Sequence, residues 1–146
     1  VEAIEIDVSD AGSVSRAADV VRTRLGCGGS EAARYLDAFI NNAGVAPEDF
    51  SPSDFESCME VNFRGVVRAT DAFFPLIKPS NGRIVMTSSS SGSSFFAAAG
   101  LSDAEVTGGY GLSKALLNMY TMQLVRENPS LLVNACTLGL IKTDLG

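Results

Sequence analysis

The 146-residue sequence has no histidine and no tryptophan. Without histidine, neither a Ser-His-Asp nor a Cys-His mechanism can be assembled, and no His-ligated metal site can form. Cysteine is scarce. Cys27, Cys58 and Cys136 lie far apart with no CxxC pair, which excludes a zinc ribbon and a thioredoxin-type site and leaves no metal ligand set in view. They read as reduced thiols of a cytoplasmic protein. No apolar run approaches the ~18 residues of a membrane span. There is no basic run either. Eleven Lys and Arg stand against 17 Asp and Glu, a net charge of −6, which argues against nucleic acid as a partner. Apolar residues are plentiful. At 46 % hydrophobic against 19 % charged, the chain can build a sizeable core, and its length fits a single domain over residues 1–146.

Strand-like and helix-like patterns alternate along the chain. Residues 3–6 read as a strand stopped by Asp7. Ser9 and Asp10 offer N-caps for a helix over about residues 11–25, ended by Gly26-Cys27-Gly28-Gly29. A second strand at 36–40 closes on Asn41-Asn42-Ala43-Gly44. A long helix is expected over about 53–77, with Pro75 and Pro79 near its end. A third strand covers 84–87 and a serine- and alanine-rich segment covers 88–100. A helix over 110–127 is stopped by Pro129, and a fourth strand covers 131–136. Continuous apolar strands alternating with helices predict a parallel sheet covered on both faces. Ligands of such sheets bind beyond the carboxyl ends of the strands. That rule selects Asp7, Asn42 to Gly44, Ser88 to Ser91 and Leu138 to Thr143, which should converge on one crevice.

Tyr110 and Lys114 are spaced i, i+4, which on a helix sets them on one face about 5–6 Å apart at Cβ. An ammonium ~5 Å from a phenol, at an effective dielectric of ~20, favours the phenolate by ~3 kcal/mol. That is roughly two pKa units, enough to make the phenol an acid near neutral pH. The same spacing also fits an ordinary helix with an exposed lysine. Ser89 follows a strand, where its hydroxyl can bond a carbonyl oxygen, although a plain serine-rich loop would look the same. Asn42, Ala43 and Gly44 are small enough for a ring to approach the backbone. The asparagines of that segment can tie the strand end, hold a ribose or simply form a turn. Asn62 lies mid-helix, where asparagine is mildly unfavourable. Gly26 to Glu31 is not a nucleotide loop, because it follows a helix and lacks the GxGxxG spacing. Phe95 to Ala99 reads as lid or packing.

The order of these signals is Asp-Val, NNAG, Asn in a helix, SSxxG after a strand, YxxxK, then a Gly-containing loop ending in Thr. In that order the sequence closely resembles the short-chain dehydrogenase/reductase family over essentially its whole length. Pro75-Leu76-Ile77-Lys78-Pro79 and Val133-Asn134-Ala135-Cys136 resemble its carbonyl reductase branch. The resemblance implies a Rossmann-type doubly wound α/β fold, a parallel sheet with helices on both faces, incomplete at both ends. It implies reduction of a ketone or aldehyde by a nicotinamide cofactor, NADP(H) ahead of NAD(H), or the reverse reaction. By resemblance Tyr110 gives the proton, Lys114 tunes Tyr110 and binds the nicotinamide ribose, Ser89 polarises the carbonyl and Asn62 holds a water behind Lys114. Asp7 and Val8 contact the adenine, Asn42, Ala43 and Gly44 line the adenosine side, and Ile141 and Thr143 hold the carboxamide.

The departures are specific. The family's TGxxxGxG loop has no counterpart, Leu138 replaces the usual Pro before Gly139, and Met86 stands where Asn is frequent. About eight extra residues separate Ser89 from Tyr110, which implies an inserted loop over the site and leaves monomer or homo-oligomer open. The sequence is therefore read as an internal fragment of a longer reductase, inactive by itself. The competing readings are a degenerate relative that only binds a partner, and an isomerase or lyase on the same scaffold.

Overall fold

The computed structural model describes residues 2–26, 34–46, 51–97 and 109–139. Helix α1 (Ala11–Arg24) begins at Asp10, whose extended backbone and carboxylate cap the Gly12 amide. Arg22 and Arg24 occupy its last turn, against the negative end of the helix dipole. Strand β1 (Ala38–Asn41) leads towards α2 (Pro52–Met59), which opens on a capping box between Ser51 and Asp54 with Pro52 in the first turn. The long helix expected over 53–77 is continuous but not uniform. A single π turn (Glu60–Arg64) joins α2 to α3 (Gly65–Phe73), and a 3-10 turn (Phe74–Leu76) ends it at Pro75. Then follow β2 (Arg83–Thr87), α4 (Ser90–Ala97), α5 (Gly109–Glu127) and β3 (Leu132–Cys136).

The three strands form one parallel sheet in the order β1-β2-β3, with Phe39, Ile84 and Val133 in register and Asn41, Met86 and Ala135 in the next rung of the same face. Val66, Leu117 and Leu124 pack on this face against Ile84, Met86 and Val133. Ala17, Ala18, Phe73 and Leu76 extend the core beneath Phe39. A ring stack of Phe39 on Phe73, centroids 5.0 Å apart, joins the two parts. The parallel sheet and its helical crossovers are as expected, and the fold is partial. Residues of the other face, Ile40 at 61 % and Leu132 at 45 % exposure, lie open among the described residues.

One expected element is absent. Residues 3–6 form no strand. A strand exists only through the backbone of a neighbour, and no described residue pairs with this segment. Ile4 instead packs beside α1.

Candidate active site

The π turn presents Asn62 inward, fully buried. The cost of asparagine inside a helix is offset by its bonds across the fold. Its Oδ1 accepts from the Val45 amide at 2.8 Å, and its Nδ2 donates to the Val45 carbonyl at 2.9 Å and to Ser113 Oγ at 3.2 Å. Ser113 in turn donates to the Tyr110 carbonyl at 2.7 Å. Three segments distant in sequence are thereby locked together: the loop after β1, the π turn and the start of α5. Cys58 lies buried next to the Val45 carbonyl, and burial pushes its thiol pKa up.

Lys114 is 4 % exposed, and its Nζ donates to the Thr87 carbonyl at the end of β2, at 2.8 Å. Burial pulls its pKa below the ordinary lysine value, because the charged form loses hydration. The same ammonium lies 5.7 Å from the Tyr110 ring centroid, so the i, i+4 pair is brought together as expected. Gly44 completes this wall. A Cβ there would stand 3.2 Å from Asn62 Oδ1 and 3.6 Å from Lys114 Nζ, so glycine leaves an open strip of backbone beside both groups. The two asparagines before it divide their work. Asn41 turns inward, donating to Thr70 Oγ1 at 3.0 Å, and ties the strand end. Asn42 faces out and accepts from Thr87 Oγ1 at 3.1 Å. Ala43 is exposed.

The opposite side is formed by the segment that follows β2. Ser88 donates to Asn118 Oδ1 at 2.7 Å. Ser89, half-buried, accepts from the Ser91 amide at 3.2 Å, and Ser90 starts a helix where a serine-rich loop was the simple expectation. Gly92 allows this. A Cβ there would lie 2.7–2.9 Å from the Lys114 and Ala115 backbone, so only glycine lets α4 close on α5. No hydrogen bond joins Ser89 to Tyr110 among the described residues.

Asp7 is exposed. Bonds from the Ser9 hydroxyl at 2.7 Å and the Ser9 amide at 2.9 Å hold its carboxyl below the usual range. Val8 rests on Gly65, three residues beyond Asn62. Leu138 and Gly139 are exposed after β3. Ile141, Thr143, Cys27 and residues 98–107 of the loop expected over 93–107 lie outside the described residues, while α4 takes up the start of that loop. Sequence reasoning missed Ser113 and the π turn. The signal for Ser113 was its place three residues after Tyr110, where a serine can bond the preceding turn's carbonyl.

The family model for short chain dehydrogenases matches residues 1–146. The chain belongs to this family. It is 29 % identical to a (+)-neomenthol dehydrogenase of Arabidopsis thaliana, over 97 % of this chain and 64 % of that protein. It is 33 % identical to dehydrogenase/reductase SDR family member 9 of Bos taurus, over 96 % of this chain and 41 % of that protein. Among solved structures, a short-chain dehydrogenase from Streptomyces avermitilis shares 28 % identity with a TM-score of 0.76, covering 99 % of this chain and 51 % of that one. An alcohol dehydrogenase of Thermococcus sibiricus complexed with 5-hydroxy-NADP shares 28 % at a TM-score of 0.67, over 90 % of this chain and 50 % of that one. The chain thus spans about half the length of these relatives. Among the described residues, no helix is long and apolar enough to cross a membrane.

Proposed function

We propose that the protein is an NAD(P)H-dependent oxidoreductase that reduces ketone or aldehyde carbonyls to alcohols, or runs the reverse. The observation that carries this reading is the buried Lys114, on one helix face with Tyr110 and bordered by Asn62 and the bare backbone of Gly44. Those residues fit a nicotinamide dinucleotide. The volume that a Cβ on Gly44 would fill is the close approach a flat ring or a ribose needs beside Lys114. In this reading Asp7 and Val8 hold the adenine, and Asn42, Ala43 and Gly44 line the adenosine side. Lys114 and Tyr110 hold the nicotinamide ribose, while Ile141 and Thr143 hold the carboxamide. When bound, the dinucleotide supplies a hydride.

The chain's own groups do the rest. The Lys114 ammonium stabilises developing negative charge on the Tyr110 oxygen, so Tyr110 can release its proton to the substrate oxygen. Ser89 donates a hydrogen bond to that oxygen and orients it. Both Nδ2 donors of Asn62 are engaged, on Val45 and Ser113, so any water it holds is held through the remaining lone pair of Oδ1. NADP(H) stands ahead of NAD(H), supported by the likeness to the Thermococcus sibiricus structure with 5-hydroxy-NADP. The free thiols of Cys58 and Cys136 fit a cytoplasmic setting.

The test uses the full-length product of the gene and a panel of ketones and aldehydes, with NADPH or NADH deuterated at the transferable positions. The expected result is an alcohol carrying deuterium on the former carbonyl carbon. Product without label, or label without a stoichiometric loss of reduced cofactor, overturns the reading in favour of an isomerase, a lyase or a non-catalytic relative.

A further inference from the structure

We propose that Arg68 is a positioning residue that seats the Asp7–Val8 loop on the helix carrying Asn62 and so fixes the adenine half of the cofactor site. The inference rests on the dinucleotide reading above.

Arg68 reaches in two directions. One guanidinium nitrogen, Nη1, donates to the Val8 carbonyl, and Nη2 donates to Glu60 Oε1 at 2.7 Å. Glu60 is the first residue of the π turn, and its other oxygen accepts from Arg64 at 3.2 Å. Arg64 also pairs with Glu56. Arg68 and Glu60 are only 27 % and 29 % exposed, so the pair is shielded from solvent more than a surface ion pair is. Beneath the guanidinium, Val8 sits on Gly65. A Cβ at Gly65 would stand 2.9 Å from Val8 Cγ2 and 3.0 Å from the Val8 and Glu60 carbonyl oxygens.

Among the described residues, 2–6 take no part in a strand ladder and are held by side chains, Ile4 beside α1 and Glu2 paired with Arg24, so no strand backbone fixes the loop after them. Its placement is set by the Gly65 seat, by the Asp7 amide bonding Ser13 Oγ at 2.9 Å, and by Arg68. The chemistry suits arginine alone. A planar guanidinium can serve a carbonyl and a carboxylate at once from separate nitrogens, whereas an ammonium is a single point of charge. Because Glu60 opens the π turn, this bracket links the loop assigned to adenine with the helix that holds Asn62 against Val45.

The experiment compares the full-length wild type with Arg68→Met and Arg68→Lys by titration calorimetry, using ADP-ribose for one half of the site and reduced nicotinamide mononucleotide for the other. Arg68→Met is expected to weaken ADP-ribose about tenfold, the size of one lost charge-assisted bond, and to leave the mononucleotide within about twofold. Arg68→Lys should fall between, at about threefold for ADP-ribose. An equal loss for both halves, or no loss for either, overturns the assignment, because a general loosening of the fold would not discriminate between them. These are binding constants and do not depend on turnover. A wild type that binds both halves but reduces no carbonyl refutes the reductase reading, and Arg68 is then judged on the ratio alone. A wild type that binds no ADP-ribose overturns both.

Discussion

Asn62 and Ser89 are both small polar side chains assigned to one crevice, yet their surroundings differ. Asn62 is completely buried and makes three hydrogen bonds to two other segments, the loop after β1 and helix α5. Ser89 is half-buried and bonds the amide two residues along its own chain. The first belongs to a back wall assembled from long-range bonds, which fixes Lys114 and the Gly44 backbone in place. The second belongs to a mouth held by a local turn, in which Ser89 Oγ accepts from the Ser91 amide and keeps its own hydrogen to donate to a substrate oxygen. The contrast teaches where rigidity resides: in the groups that set charge and backbone position, while the group assigned to the substrate oxygen rests on a local turn.

Stability should separate the two sides most sharply. Asn62→Leu leaves the Val45 amide without its partner and takes one donor each from the Val45 carbonyl and Ser113 Oγ, and should cost about 3 kcal/mol. Ser89→Ala removes a bond that water can replace and should stay within about 0.5 kcal/mol. Chemical denaturation of the full-length product reads both, and equal losses would dissolve the distinction between wall and mouth.

A smaller effect tests how the mouth is attached. In Gly92→Ala the new methyl meets the backbone of Lys114 and Ala115, which cannot swing aside. We expect a loss of about 1–3 kcal/mol, the usual cost of overpacking, with a fall in turnover as α4 carries Ser89 away from α5. A Gly92→Ala protein of unchanged stability and turnover would show that α4 does not depend on that contact.

Much of this was legible before the fold was seen. β1, β2 and β3 are short apolar runs bounded by turn residues, and α1 and α5 carry clear stops at Gly26 and Pro129. Order along the chain was enough to single out Asn62, Tyr110 and Lys114. The failures share a physical cause, since each feature is decided by a partner far away in sequence. Residues 3–6 have strand-like composition and no strand beside them among the described residues. Apolar strands do not announce which face the described helices will cover, and Ile40 lies on the open one. Ser90 to Gly92 would not favour a helix alone; packing of Gly92 on α5 makes one. The π turn has no local signature. Ser113 and Arg68 act across 51 and 60 residues of chain, on Asn62 and Val8 respectively.

Tyr110 acting as proton donor beside Lys114 is the centre of the proposed reaction, and substitution of that hydroxyl tests it most directly. In the full-length product, Tyr110→Phe should lower kcat by about 10²–10⁴-fold while the dissociation constant for the reduced dinucleotide rises by no more than about tenfold, the size of one lost hydrogen bond to the ribose. Turnover that survives the substitution would contradict the assignment. So would a loss of turnover matched by an equal loss of cofactor binding, because Tyr110 would then be holding the site together rather than delivering a proton.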